Sequence, residues 1–177
     1  MKNNPEYLEM VQKAENVVDV TSTTFGIKVI DNLSEEELSE VSRNRFSTAA
    51  NTFIEKGVLH AKSEVSPALI LHELINILVV EEKYRHLMTR DTQVSYAEIN
   101  KLEPVRKKFR SESATLGLQY HISKHFGLRS RIFGGFFNGS ILAFDMVTNQ
   151  YVTDIPLGWQ QKGEELFNEL RIGDLSI

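Results

Sequence analysis

The stretch that decides the fold is residues 66–80, S-P-A-L-I-L-H-E-L-I-N-I-L-V-V, the most apolar part of the chain. Ser66 is a favourable N-cap and Pro67 suits the first helical position, so we expect a helix to begin here. Residues 68–88 contain no Gly or Pro that would end it early. Because its first half is apolar almost all round, this helix is predicted to be buried.

Three polar residues, His72, Glu73 and Asn76, interrupt this apolar helix. His72 and Asn76 are four residues apart and point to the same side, whereas Glu73 lies about 100° round the helix from His72. A charged Glu on a buried helix needs a partner, because an unpaired charge in the interior is costly. These residues alone leave two explanations open: a functional site, or polar side chains that reach loops or solvent along a narrow stripe.

A second helix with a polar residue on its apolar side is expected over residues 104–126. Val105, Phe109 and Leu116 form an apolar stripe at helical spacing, and Glu112 falls inside that stripe. Carboxylate and imidazole groups on the facing sides of neighbouring helices are typical of a metal site between packed helices. A buried ion pair of Glu112 with an Arg or His side chain is the alternative.

Shorter patterns predict the remaining elements. Ser34 with Glu37, and Ser95 with Glu98, have the spacing of capping boxes that open helices. Gly57 separates two short strand-like runs and indicates a hairpin. The other expected elements are an amphipathic helix over residues 5–20, a strand over 24–30, hairpin strands over 49–54 and 58–61, Gly127 as the C′ residue of the second long helix, and a terminal helix over 159–170.

The composition narrows the chemistry that the chain can carry. There is no cysteine among the 177 residues, which excludes disulfides, Cys-ligated zinc, iron–sulfur clusters and a thiol nucleophile. No apolar run approaches the roughly 18 residues that a membrane span needs, and the N-terminus has no secretion signal. We therefore expect a cytoplasmic protein without a membrane partner. Residues 1–44 are expected to form an N-terminal appendage that packs on a main domain over residues 45–177.

Charge is unevenly distributed along the chain, although the net charge is only −4. Residues 101–131 hold eight Lys or Arg against two Asp or Glu. The negative total argues against a general nucleic-acid binder. Four basic residues of this segment are expected to bind an acidic protein partner, with a solvated helix face as the alternative. They are Arg106, Lys107, Lys108 and Arg110.

Three segments, taken in order, resemble a known pattern: Gly57-Val58-Leu59-His60, the L-H-E-L-I-N-I-L of residues 71–78, and the F-R-S-E-S-A-T-L-G-L-Q-Y-H-I-S-K-H-F-G-L of residues 109–128. They are similar to the strand, the active-site helix and the second ligand-bearing helix of zincin metallopeptidases. The pattern looks most like that of the ImmA/IrrE-like peptidases and of the zincin domains in plasmid antirestriction proteins. The resemblance covers about residues 45–170. It implies an α+β fold, mostly helical, with a small antiparallel sheet beside the H-E helix.

By this resemblance, His72, Asn76 and Glu112 would stand at the zinc-ligand positions. Glu73 would be the catalytic general base that takes a proton from the zinc-bound water. The family pattern is H-E-x-x-H, whereas the neutral amide of Asn76 is a poor zinc ligand. The departure favours a degenerate zincin-like protein of phage or plasmid origin that binds a protein partner in anti-defence or regulation. An active zinc-dependent metallopeptidase with an altered site, acting on a protein substrate, is the alternative.

Overall fold

The computed structural model of the chain describes residues 5–37, 51–63, 65, 67–128, 144–145, 150–151 and 156–177. The helices in these ranges are α1 (Pro5–Thr24), α2 (Pro67–Leu78), α3 (Glu82–Arg85), α4 (Thr92–Leu102), α5 (Glu112–His125) and α6 (Leu157–Glu169), with a 3₁₀ turn at Ile172–Asp174. The strands are β1 (Val29–Leu33), β2 (Thr52–Glu55), β3 (Val58–Lys62), β4 (Phe144–Asp145) and β5 (Gln150–Tyr151). The predicted α+β class, mostly helical with a small sheet, is confirmed. None of the helices within these ranges is long and apolar enough to cross a membrane.

The three-stranded sheet has the strand order β1-β3-β2. β3 pairs antiparallel with β2 and parallel with β1, so that Leu59 lies between Ile54 and Val29. The sheet is therefore mixed, where the resemblance implied an antiparallel one, because β1 is not part of the hairpin. The predicted hairpin is confirmed. Its turn residues, Lys56 and Gly57, both have positive φ, as in the two-residue turns that match the twist of the strands.

Helix α2 lies in the hydrophobic core. It packs against α1, α5 and both hairpin strands, and its residues Leu74, Ile75 and Ile77 are completely buried. The buried helix expected from residues 66–80 is therefore confirmed. Buried side chains of α1, β3 and α5 complete this core, among them Ala14, Val17, Leu59, Ala61, Leu118 and Ile122.

Residues 68–88 contain no Gly or Pro, so the sequence alone would allow α2 to continue to residue 88. The helix nevertheless ends at Leu78. Arg85 donates from Nε to the carbonyl oxygen of Val80 at 3.0 Å, and from Nη1 to the carbonyl oxygen of Phe25. These bonds tie the segment that follows α2 to the end of α1. Contacts with a distant part of the chain, rather than a helix-breaking residue, therefore accompany the end of this helix.

The connection between α1 and β1 departs from the strand predicted over residues 24–30. Helix α1 continues to the start of this range, and Gly26 follows it with φ of 63°. The amide of Ile27 donates to the carbonyl oxygen of Ser22 at 2.8 Å, which closes the helix end as in a Schellman motif. The strand consequently begins only at Val29.

Two helices begin at residues other than those predicted. Helix α4 is capped by Asp91, whose carboxylate accepts from the amide of Val94 at 3.0 Å, so that Ser95 lies inside the helix and does not cap it. Helix α5 begins after Ser111, whose hydroxyl accepts from the amide of Ala114 at 3.3 Å. The chain between α4 and α5 forms turns instead of the predicted helix.

Other local predictions are confirmed. The capping box is reciprocal, because the amide of Glu37 donates to Oγ of Ser34 at 3.1 Å and the amide of Ser34 donates to Oε2 of Glu37 at 2.8 Å. Gly127 follows α5 with φ of 64°, as expected of a C′ residue. The terminal helix is present as α6.

Helices α5 and α6 cross at two glycines. A Cβ atom at Gly117 would lie 1.9 Å from the carbonyl oxygen of Trp159, and one at Gly163 would lie 2.0 Å from the carbonyl carbon of Gly117. The two backbones are therefore in direct contact, and a side chain at either position would clash. A Cβ atom at Gly158, near the start of α6, would meet no atom within 4 Å.

Candidate functional site

Hydrogen bonds to neighbouring side chains hold the three polar residues of α2. Asn76 is 3% exposed and donates from Nδ2 to Oε2 of Glu73 at 3.1 Å. Nδ1 of His72 lies 2.8 Å from Oε1 of Gln119 on α5. Because an amide oxygen only accepts, Nδ1 carries the hydrogen in this pairing. His72 and Glu73 are partly exposed, so the group lies where the core meets the surface.

Tyr96 joins this group from a third helix, α4. Its hydroxyl oxygen is 2.9 Å from the carbonyl oxygen of Asn76, 3.2 Å from Oδ1 of the same residue and 3.3 Å from Oγ1 of Thr115 on α5. Burial raises the pKa of Tyr96 well above its ordinary value; the bond with Thr115 opposes this rise, and the charges of Glu112 and Glu73 add to it. The hydroxyl therefore stays protonated and links α2 to α4 and α5 as a neutral group.

Glu112 lies in the first turn of α5 and is exposed. A carboxylate is favoured there by the helix dipole, and its Oε2 is 3.5 Å from Nε2 of Gln93 on α4. The apolar stripe that would have placed Glu112 in the core does not form. The chain before Ser111 is not helical, and Val105 is 84% exposed.

The donor set on α2 and α5 does not fit a zinc ion. Over the ranges that the structure describes, no group of three or more His, Asp or Glu side chains is placed to hold a metal. His72 and Glu73 each face a side-chain amide, and Glu112 lies at the exposed start of α5. A zinc site needs at least three protein donors that converge on one point. No catalytic step through a metal follows from this arrangement.

His60 lies on the face of the sheet that points away from α2. Leu59 and Ala61 belong to the core that contains α2, and neighbouring residues of a strand point to opposite faces. The ring of His60 lies 6.0 Å from the ring of Phe53, centroid to centroid. Burial lowers the pKa of His60. The strand therefore directs this imidazole away from the polar residues of α2.

Arg110 lies in the interior, although the sequence placed it on a basic face. It is 2% exposed, and its Nη2 and Nε donate to Oε1 and Oε2 of Glu81 at 2.6 Å and 3.1 Å. Nη1 donates to Oδ1 of Asn100 at 3.0 Å and to the carbonyl oxygen of Glu103 at 2.8 Å. Burial alone would lower the pKa of Arg110, but the bonds to Glu103 and Glu81 outweigh it and raise the pKa. This charge stabilises the turns before α5 and is not available to a partner.

The other three basic residues differ in their surroundings. Nη2 of Arg106 lies 2.7 Å from Oε1 of Glu169, and Nζ of Lys108 lies 2.6 Å from Oε1 of Glu165, so that both reach α6. Lys107 is exposed and forms no ion pair within the described part of the chain. The four predicted partner-binding residues thus do not form one free basic surface.

The sequence did not identify several residues that complete the polar group on α2, nor the counter-ion of Arg110. Thr115 and Gln119 come three and seven residues after Glu112, so all three lie on one face of α5. This spacing could have indicated from the sequence that α5 carries a polar face. Tyr96 and Glu81 gave no such signal, because the residues that they contact are on other elements. Their roles depend on how the helices pack.

A cleft of about 450 Å³ lies elsewhere, between α1, the ends of β1 and β3 and the start of α2. Its walls include Glu15, Asp19 and Ile70. His72, Glu73 and Asn76 do not line it, so the polar group on α2 is separate from this cleft.

Comparison of the chain with protein-family models, with curated proteins and with solved structures finds no match in any of the three. The zincin resemblance accordingly remains a prediction from the motifs. The arguments about function below depend on the residues and contacts of this chain.

Proposed function

We propose that the protein is a degenerate zincin-like domain without peptidase activity that acts by binding a protein partner. The observation that supports a loss of catalysis is the hydrogen bond from Nδ2 of Asn76 to Oε2 of Glu73. In the H-E-x-x-H pattern, the second His binds zinc and the Glu is the general base. Here the residue at the second His position is Asn76, and its amide donates a hydrogen to that carboxylate.

The remaining polar contacts support the same proposal. His72 is paired with Gln119, and Asn76 with Tyr96, so that side chains of α2, α4 and α5 face one another. A polar network whose members are bonded to one another, and most of whose members are buried, fixes the packing of the helices that carry it. These residues therefore have a structural role that requires no metal.

The proposed partner is a protein of a bacterial defence or regulatory system, and the proposed source is a phage or plasmid. This part of the proposal is supported by the resemblance to plasmid antirestriction proteins and to ImmA/IrrE-like peptidases. The cytoplasm is the compartment that we expect. Of the four basic residues predicted to bind a partner, Lys107 and Lys108 are the two that are exposed, and they are the candidates for contact with the partner.

Zinc determination on the full-length purified protein tests the loss of the metal site. We expect far less than one zinc per chain by elemental analysis, and the same Tm with added zinc as with a chelator. One zinc per chain that disappears in both His72→Ala and Glu112→Ala would contradict the proposal. That result would favour the alternative, an active zinc-dependent metallopeptidase.

The variant Glu73→Gln tests the catalytic part separately. Its amide oxygen can still accept the hydrogen bond from Asn76, so the fold should be kept, but it cannot take a proton from water. With zinc added, we expect the wild-type protein and the variant to be equally inactive on an unfolded protein substrate. Zinc-dependent cleavage by the wild type that the variant lacks would show that the site is catalytic.

A further inference from the structure

We draw no further inference here: the strongest candidate, the cleft between α1 and the start of α2 that Glu15, Asp19 and Asp31 line, rests on a cluster of acidic side chains, and no second observation in the part of the chain that the structure describes shows what ligand they would hold.

Discussion

The guanidinium of Arg110 is buried against the carboxylate of Glu81, with Nη2 2.6 Å from Oε1 and Nε 3.1 Å from Oε2. Glu81 follows α2, and Arg110 comes just before α5. Two parallel N–H···O bonds between a guanidinium and a carboxylate fix both distance and orientation. The pair therefore determines where α5 begins relative to α2, and with it which residues of α5 face Asn76 and His72.

Loss of the buried guanidinium should destabilise the fold strongly. Arg110→Met leaves the carboxylates of Glu81 and Glu103 without their cation, and we expect the free energy of unfolding to fall by about 3 kcal/mol. Urea unfolding at neutral pH measures this change. Lys107→Met removes an exposed charge from the same segment and should change the free energy by less than about 0.5 kcal/mol. Equal effects of the two substitutions would show that the burial of Arg110 is unimportant.

Acid should remove part of the stability through Glu103. The hydrogen bond with Arg110 holds the pKa of Glu103 below its ordinary value of 4.5. Because the folded state has the lower pKa, the contribution of Glu103 is fully present above pH 4.5 and is lost as the pH falls through the folded pKa. Glu103→Gln does not titrate, so its Tm should fall less steeply than that of the wild type below this pH. Parallel curves of Tm against pH would argue against this role of Glu103.

The hydroxyl of Tyr96 should contribute measurably to stability. Tyr96→Phe leaves the buried carbonyl groups of Asn76 without this donor, and the expected loss is about 1 to 2 kcal/mol in the free energy of unfolding. Tyr84→Phe is the control, because Tyr84 is only partly buried. It should change stability by less than about 0.5 kcal/mol. If Tyr96→Phe has no larger effect than this control in urea unfolding, the hydroxyl does not link the three helices.

The crossing of α5 and α6 should not tolerate a methyl group. Gly163→Ala forces a Cβ atom into the backbone of α5, and we expect a loss of about 3 kcal/mol. Gly158→Ala adds the same methyl group near the start of α6, where no atom lies within 4 Å. This control should be neutral or stabilise the protein by about 0.5 kcal/mol, because alanine restricts the unfolded chain more than glycine does. Thermal unfolding of both variants measures the difference, and similar values of Tm would contradict the close contact.

Asn76→His tests the zincin resemblance, because it completes the H-E-x-x-H pattern. Without zinc the variant loses the amide bonds of Asn76 and should be less stable than the wild type by about 1 to 3 kcal/mol. If α2 and α5 have the zincin arrangement, added zinc should raise the Tm of Asn76→His but not that of the wild type. The double variant Asn76→His/His72→Ala should show no response. Zinc that leaves the Tm of Asn76→His unchanged would contradict the resemblance.

Local patterns allowed the sequence to predict part of the fold. The apolar run of residues 66–80 predicted the buried helix, Gly57 predicted the hairpin turn, and Gly127 predicted the end of α5. In each case a residue and its immediate neighbours determine the structure. The parallel pairing of β1 with β3 could not be predicted in this way, because it joins segments that are far apart in the sequence.

The candidate site was predictable to a similar degree. His72, Glu73 and Asn76 were identifiable because polar residues on an apolar helix require an explanation. The side chains that they face, Gln119 and Tyr96, were not identified, because these contacts depend on helix packing. Arg110 was assigned to the surface for the same reason: its counter-ion Glu81 lies beyond the end of another helix, where no local pattern reveals it.

The contact between Gly117 and Gly163 constrains how a sequence of this kind can diverge. Helix α6 can pack on α5 in only one rotational orientation, the one in which Gly163 faces Gly117. A single-residue deletion between Gly158 and Gly163 would rotate Gly163 about 100° around the axis of α6, away from α5. A side chain would then enter the backbone of the neighbouring helix. A change at either glycine alone leaves the other facing a backbone that has to move away, so the two positions constrain each other although 46 residues separate them. We therefore expect any sequence that keeps this close crossing to keep a glycine at both positions, whatever the exposed faces of the two helices carry.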